Sequence, residues 1–274
     1  MALQDYFREP GLSSALDRYR QVVTNDLDWP VAEKHRLYGL AKRAFEEERG
    51  TGRGEEAFGQ IFEALKAYWK MFRNAWEGGR WDATTTYQAL LACEEDAGRS
   101  SQVTLLTIGG SSDQQQAVLR TLERLRGMKA VKSSENYPWM PASKVLHFFN
   151  PRAFPIYDDA LVWQTVLWRS RPKRGSGRDA AFRADYERFC RARGLRPRET
   201  TERFNLNYGL FASEIFTGCD VPVAMRTFEN WFTRQTGGVQ AGDPVLREVP
   251  TYYGAAFEMI AIGAASLELA AGAR

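Results

Sequence analysis

The feature that most constrains the fold is the spacing of apolar residues, which recur every three or four positions through most of the chain. The segments 12–23, 55–76 and 111–127 show this spacing most clearly. It places apolar side chains on one face of an α-helix, whereas a half-buried β-strand needs strict alternation of apolar and polar residues. The pattern therefore predicts an all-α fold of ten or eleven helices.

Glycine, proline and capping residues mark where these helices begin and end. Trp29-Pro30 opens a helix that is expected to run through Phe45. Further helices are expected at 83–95, 180–193, 207–216, 223–235 and 252–269. The apolar piece 103–108 is short enough for a β-strand, although no second strand lies near it in the sequence. The helices form one domain, 1–274, with 1–110 and 111–274 as two conceivable lobes.

Composition argues against several classes of protein. No apolar run reaches the roughly 18 residues that span a bilayer, and the first ten residues do not resemble a signal peptide. Three widely spaced cysteines do not suggest a disulfide framework, so we expect a cytoplasmic protein without membrane contact. With two histidines and no nucleotide-binding loop, neither a metal nor another cofactor is expected.

Positive charge is concentrated in one stretch of the chain. Residues 169–203 contain twelve Lys and Arg against five Asp and Glu, a net charge of +7, although the whole chain carries only +3. A local excess of this kind is typical either of a solvated helix face or of a surface that binds a polyanion.

The segment 141–162 combines a lysine and an acid around a turn. Pro141 and Ser143 begin a short helix that contains Lys144, and the Asn150-Pro151 pair ends it. An extended piece then leads to Asp158 and Asp159, either of which suits the N-cap of the next helix because free N–H groups there attract a carboxylate. This order of elements is expected to bring Lys144 and Asp158 near each other.

These residues resemble the helix-hairpin-helix DNA glycosylases, particularly the 8-oxoguanine branch. Ser143-Lys144-Val145 matches the Ser/Thr-Lys-Val that carries the catalytic lysine of that family, and Phe154-Pro155-Ile156-Tyr157-Asp158 matches the stretch with its catalytic aspartate. The resemblance covers about forty residues. Pro138-Trp139-Met140-Pro141 stands where the family keeps its hairpin glycines, the interval from lysine to aspartate is shorter, and Tyr157 is an additional residue.

The resemblance implies a multi-helix glycosylase fold, with the active site between two helical lobes, and a site for base excision. Asp158 and Lys144 would be the catalytic residues, and the partner would be duplex DNA bound by a monomer with one base flipped out of the stack. Two sets of side chains would complete the site: Trp139, Tyr157, His147 and Phe154 around the base, and Arg169, Arg171, Lys173, Arg174 and Arg178 on the DNA phosphates.

The chemistry suits these residue types. Breaking an N-glycosidic bond develops positive charge on the sugar, which a carboxylate stabilises while it orients a water molecule. Burial disfavours a charged lysine, and the neutral amine is the form that attacks C1′. If Lys144 attacks, a Schiff base and strand cleavage follow; otherwise an abasic site remains.

Other functions stay open on the sequence alone. A divergent glycosylase of this type would serve either repair or phage defence, in the latter case by excising hypermodified pyrimidines such as glucosylated hydroxymethylcytosine. A non-enzymatic helical protein that binds nucleic acid is the main alternative. A nuclease would need a carboxylate cluster, and Glu94-Glu95-Asp96 is explained more simply as a solvated helix end.

Overall fold

The computed structural model describes residues 3–25, 31–69, 82–97, 103–127, 139–156, 181–196, 201–237 and 242–271. Within these ranges the chain forms α1 (Gly11–Asn25), α2 (Val31–Lys42), α3 (Gly52–Trp69), α4 (Ala83–Ala97), α5 (Leu105–Ile108), α6 (Ser112–Gly127), α7 (Trp139–Phe149), α8 (Ala181–Ala192), α9 (Thr201–Thr217), α10 (Val221–Gln235), α11 (Pro244–Glu248) and α12 (Tyr253–Ala271). The same ranges contain no β-strand, so the prediction of an all-α fold is confirmed for them.

Helix α12 lies at the centre of the core. All its residues from 254 to 266 are buried, which explains why this stretch is so rich in alanine and other apolar residues. Helix α1 packs along it, and the two backbones approach closely at Gly263. The buried apolar side chains form a cluster whose members range along the chain from Leu3 to Ala265.

The segment 103–108 does not form the β-strand that its length allowed. Leu105–Ile108 is a single helical turn, and Thr107 Oγ1 accepts a hydrogen bond from the Thr104 N–H at 3.2 Å. The Leu105 N–H donates to the Arg152 carbonyl at 3.0 Å. A helical turn buries Leu105 and Ile108 without the neighbouring strand that a β-strand would need.

The other predicted helices are found, most of them with small differences at their ends, but α9 begins at Thr201 rather than at 207 and α11 was not predicted. Helix α2 ends at Lys42 rather than beyond Phe45, because Arg43–Glu47 form a π-helical turn that keeps Phe45 buried. Helix α3 begins at Gly52, and the predicted part beyond Trp69 lies outside the described residues. The division into lobes 1–110 and 111–274 stays a prediction. None of the described helices combines the length and the apolar character needed to cross a membrane.

Candidate active site around helix α7

Helix α7 is a short helix that is enclosed by protein from Ser143 onward. From Ser143 to Asn150 every side chain is buried. Pro141 fits in the first turn because the first N–H groups of a helix have no partner within it. The helix ends at Phe149, as predicted from the Asn150-Pro151 pair, and begins two residues earlier than expected.

Lys144 is among the most buried charged side chains of the described residues. It is 3% exposed, and its helical neighbours Val145 and Leu146 are apolar and buried as well. Lysine is almost never buried to this degree unless it has a partner, and Lys144 does take part in at least one non-covalent interaction. Lys144 is therefore not an ordinary surface lysine.

The turn after α7 is anchored to the residues that precede α5 and to helix α12. The buried side chain of Asn150 donates to the Val103 carbonyl at 2.9 Å and accepts from the Arg152 N–H at 3.1 Å. The Pro151 carbonyl accepts a hydrogen bond from the Ala255 N–H at 3.1 Å, at the beginning of α12. Gly254 permits this close approach, because a Cβ there would lie 2.7 Å from the Pro151 carbonyl oxygen.

His147 connects α7 to α2 and to the segment 151–156. Its Nδ1 lies 2.8 Å from the Phe154 carbonyl oxygen and its Nε2 lies 2.7 Å from the Tyr38 hydroxyl. The ring is completely buried. Burial lowers the pKa of His147 well below its usual value, and the nearby Lys34 charge lowers it further, so the ring is neutral.

A buried ion pair, which the sequence did not predict, lies beside this histidine. Lys34 Nζ lies 2.7 Å from both carboxylate oxygens of Glu258, and the two side chains are 2% and 3% exposed. Glu258 Oε2 is 3.9 Å from His147 Nε2, which is too long for a hydrogen bond. The sequence contained one indication that Lys34 is buried: it lies on the same face of α2 as the buried residues Val31 and Tyr38.

The buried His147 gives the protein a definite pH dependence of stability. The histidine titrates near pH 6.5 in the unfolded chain and well below that value in the folded one. Between these two values only the unfolded chain binds the proton, so the free energy of unfolding falls as the pH falls. Where the histidine of the unfolded chain is fully protonated and that of the folded chain is not, the slope approaches about 1.4 kcal/mol per pH unit.

Urea unfolding of wild type and His147→Asn at a series of pH values measures this effect. The charged and titratable groups around the ring, Lys34, Glu258 and Tyr38, are present in both proteins, so the difference between the two slopes isolates His147. Equal slopes for wild type and His147→Asn would contradict the prediction.

A small, mainly apolar cavity lies next to α7. Ser143 and Leu146 of α7 line it together with Phe154 and Pro155, and α5, α6 and α9 close the other sides. Phe154 is thus the one predicted base-pocket residue whose side chain borders this cavity among the residues that the structure describes. His147, also predicted for the base pocket, has both ring nitrogens engaged by Tyr38 and Phe154.

The side chains of the remaining predicted site residues are not among those that the structure describes. Asp158 and Tyr157 lie outside the described residues, as does the side chain of Trp139. The predicted phosphate contacts also lie outside them, namely Arg169, Arg171, Lys173, Arg174 and Arg178. The roles given to these residues stay predictions.

Comparisons with known proteins identified no relative of this chain. No family model matches the chain, and neither the curated proteins nor the solved structures include a match. Within the described part of the chain, no group of three or more His, Cys, Asp or Glu side chains is arranged to hold a metal ion.

Proposed function

We propose that this chain is a DNA glycosylase of the helix-hairpin-helix type, which hydrolyses the N-glycosidic bond of a damaged or modified base and leaves an abasic site. The observation that carries the proposal is the burial of Lys144, which is 3% exposed on a short helix. A buried lysine at the position where the resembling family has its catalytic amine needs a reason to be retained, because burying its charge is costly.

The contacts of α7 support a pairing of Lys144 with Asp158. The Phe154 carbonyl is bonded to His147, and Phe154 and Pro155 share a cavity with Ser143, the residue before Lys144. The segment 151–156 therefore runs beside the helix that carries Lys144. Asp158 follows this segment by two residues in the sequence.

In the proposed reaction the Asp158 carboxylate accepts a proton from a water molecule whose oxygen attacks C1′ of the sugar. The bond from C1′ to the base nitrogen breaks, its electron pair leaves with the base, and the base takes up a proton from solvent. The carboxylate also stabilises the positive charge that develops on the sugar. If the Lys144 amine attacks C1′ instead, a Schiff base forms with the opened sugar and strand cleavage follows.

Exposed arginines support a nucleic acid as the partner. Helix α8 and the residues after it carry exposed Arg188, Arg191, Arg193 and Arg196, which continue the basic stretch of 169–178. Exposed arginines can contact DNA phosphates, which fix a duplex without reading its sequence, although Arg188 and Arg193 already face the carboxylates of Asp185 and Glu214. The same observation favours the second candidate function, a non-enzymatic helical protein that binds nucleic acid.

A panel of DNAs tests the proposal. It contains duplexes with uracil, 8-oxoguanine or alkylated bases and genomic DNA from phages with modified bases, and an aldehyde-reactive probe detects abasic sites. We expect abasic sites on at least one DNA of the panel, and activity on hypermodified phage DNA alone would indicate a role in phage defence. Salt-sensitive binding without any abasic product would favour the non-enzymatic alternative.

Asp158→Asn is expected to lower base release by roughly a hundredfold or more, because the amide neither accepts the proton of water nor stabilises a cationic sugar. Its affinity for a fluorescein-labelled duplex should stay within about threefold of wild type, since Asp158 is not one of the proposed phosphate contacts. Asp159→Asn is the matched control and should retain activity. Full activity of Asp158→Asn would contradict the assignment.

Borohydride trapping separates the two mechanisms. If Lys144 attacks C1′, borohydride reduces the Schiff base and gives a stable protein–DNA adduct, which should be absent in Lys144→Ala and in Lys144→Met. Methionine preserves most of the buried volume, so this variant separates loss of the amine from loss of packing. Base release without an adduct in wild type would assign the attack to water.

A further inference from the structure

A second cavity opens where the end of α7 meets α2 and α11. Its walls come from the last residues of α2, the π-helical turn 43–47 and the stretch 148–152, and Glu248 and Tyr252 close it. Among the described residues, it shares none with the cavity that Phe154 borders. This α2–α11 cavity differs from the first one in having charged side chains at its mouth.

Aromatic rings form the floor of the α2–α11 cavity. Phe45 and Phe149 meet edge to face with ring centroids 5.0 Å apart, and Tyr38 and Tyr252 do so at 5.1 Å. Each of these four side chains is at most 8% exposed, so the floor is held rigidly by the surrounding core. A preformed surface of this kind takes a flat apolar group.

The π-helical turn Arg43–Glu47 shapes one wall. The Glu48 N–H donates to the Arg43 carbonyl, five residues back, at 2.9 Å. Such a turn is rare, because it inserts one residue into the α-helical repeat, and it is frequently found at functional sites. Here it buries Phe45 in the floor and leaves the side chain of Glu46, which is 50% exposed, at the mouth.

Two cations at the mouth are joined by one carboxylate. Glu248 accepts a hydrogen bond from Lys42 with one oxygen and from Arg152 with the other, the latter over 3.3 Å. The Tyr252 hydroxyl donates to the second oxygen as well, over 3.4 Å. A single carboxylate thus spans Lys42 and Arg152, so the two cations are close enough for another carboxylate to contact both.

The hydrogen-bonding capacity that is left at the mouth consists mainly of donors. Arg152 uses Nε on the Thr251 hydroxyl and Nη2 on Glu248, and within the described part of the chain its Nη1 has no hydrogen-bond partner. Lys42 has three N–H groups for the two carboxylates of Glu46 and Glu248. Both oxygens of Glu248, by contrast, already accept hydrogen bonds.

We propose that the α2–α11 cavity binds a small organic carboxylate with a flat apolar body, which lies on the aromatic floor while its carboxylate bridges Lys42 and Arg152. The ligand displaces Glu46 from Lys42. That pair is four residues apart on one helical face with a half-exposed acid, and such pairs contribute little, so the displacement costs little. The planar guanidinium of arginine matches the geometry of a carboxylate.

This binding site is separate from the proposed glycosylase function. Lys144, His147 and Phe154, the described residues of the predicted site, do not line the α2–α11 cavity. The test therefore uses the full chain without DNA, and a failure of either proposal leaves the other one standing.

Fluorine NMR with four small ligands tests the charge and the ring. We expect 4-fluorobenzoate to bind with a dissociation constant of about 1 mM or below, as befits a ligand of this size. The neutral 4-fluorobenzamide, the cationic 4-fluorobenzamidine and the ringless trifluoroacetate should bind roughly tenfold more weakly or worse, since each lacks either the carboxylate or the flat body.

Three substitutions test the assigned contacts. Arg152→Gln removes the guanidinium, and Ala41→Leu fills the cavity that Ala41 lines without changing a charge, so each should weaken 4-fluorobenzoate binding by roughly tenfold or more. Glu46→Gln removes the competing carboxylate and should tighten binding by about two- to fivefold. Arg188→Gln is the matched control: it breaks an exposed pair with Asp185 on α8 and should leave the affinity unchanged.

Circular dichroism confirms that each variant is folded, and the exposed Glu46→Gln keeps the test decisive if a buried change impairs folding. Unchanged affinity in Arg152→Gln and Ala41→Leu would overturn the assignment of the site, and weaker binding in Glu46→Gln would overturn the displacement. Equal or tighter binding of the amidine or of trifluoroacetate would overturn the ligand class. The absence of 4-fluorobenzoate binding at about 10 mM would overturn the proposal as a whole.

Discussion

Replacing Lys34 with methionine is expected to lower the free energy of unfolding by roughly 3–5 kcal/mol, because it leaves the Glu258 carboxylate buried without the cation that now faces it. Both oxygens of Glu258 lie 2.7 Å from Lys34 Nζ, and both side chains are almost completely buried. The pair also joins α2 to the central helix α12. Urea unfolding at pH 7.5 measures the loss.

The double variant Lys34→Met with Glu258→Met tests whether the cost comes from the orphaned charge. We expect it to unfold within about 1–2 kcal/mol of wild type, since two apolar side chains of similar volume replace a buried ion pair at little cost. Lys66→Met breaks an exposed pair with Glu63 and serves as the control, with an expected loss under about 1 kcal/mol. A loss this small for Lys34→Met would contradict the prediction.

The sequence could predict the helices because their signal is local. Apolar spacing within a single segment identified α1, α6 and α12, and the Asn150-Pro151 pair identified the end of α7. Local apolar spacing was not sufficient to predict the structure of the segment 103–108. A stretch of six apolar or small residues is too short for its apolar spacing to distinguish a helix from a strand. In the structure the segment forms a helical turn, and the Leu105 N–H donates to the Arg152 carbonyl.

The buried polar contacts could not be predicted, because each joins residues that are distant along the chain. Glu258 was visible as an acid that interrupts an apolar stretch, but its partner Lys34 lies 224 positions away. His147 was considered for the base pocket from its place near Lys144, whereas its hydroxyl partner Tyr38 lies 109 positions away. The fold brings these groups together only when α2, α7 and α12 are packed.

For the candidate site, the structure bears only on the burial of helix α7. The burial of Lys144 agrees with the expectation that its helix faces a core, since Val145, Leu146 and Phe149 surround it in the sequence. The pairing with Asp158 stays a prediction, because that residue lies outside the described part of the chain. The structure explains the path of the segment 151–156, because hydrogen bonds made by Asn150, Ala255 and His147 hold it in place.

Gly263→Ala is expected to cost roughly 3 kcal/mol or more of unfolding free energy, because its added Cβ would lie 1.8 Å from the Ala15 carbonyl oxygen. The oxygen belongs to the backbone of α1, so no side-chain rotation relieves the overlap and the two central helices must separate. Thermal unfolding measures the loss.

Gly59→Ala is the matched control for this glycine substitution. Gly59 lies inside α3, and a Cβ there would meet no heavy atom within 4 Å. Alanine favours a helix over glycine, so this variant should gain about 0.5–1 kcal/mol. The opposite signs of the two changes would assign the loss at position 263 to the closeness of α1 and α12 rather than to helix propensity. A stable Gly263→Ala variant would mean that the two helices do not approach as closely as the structure has them.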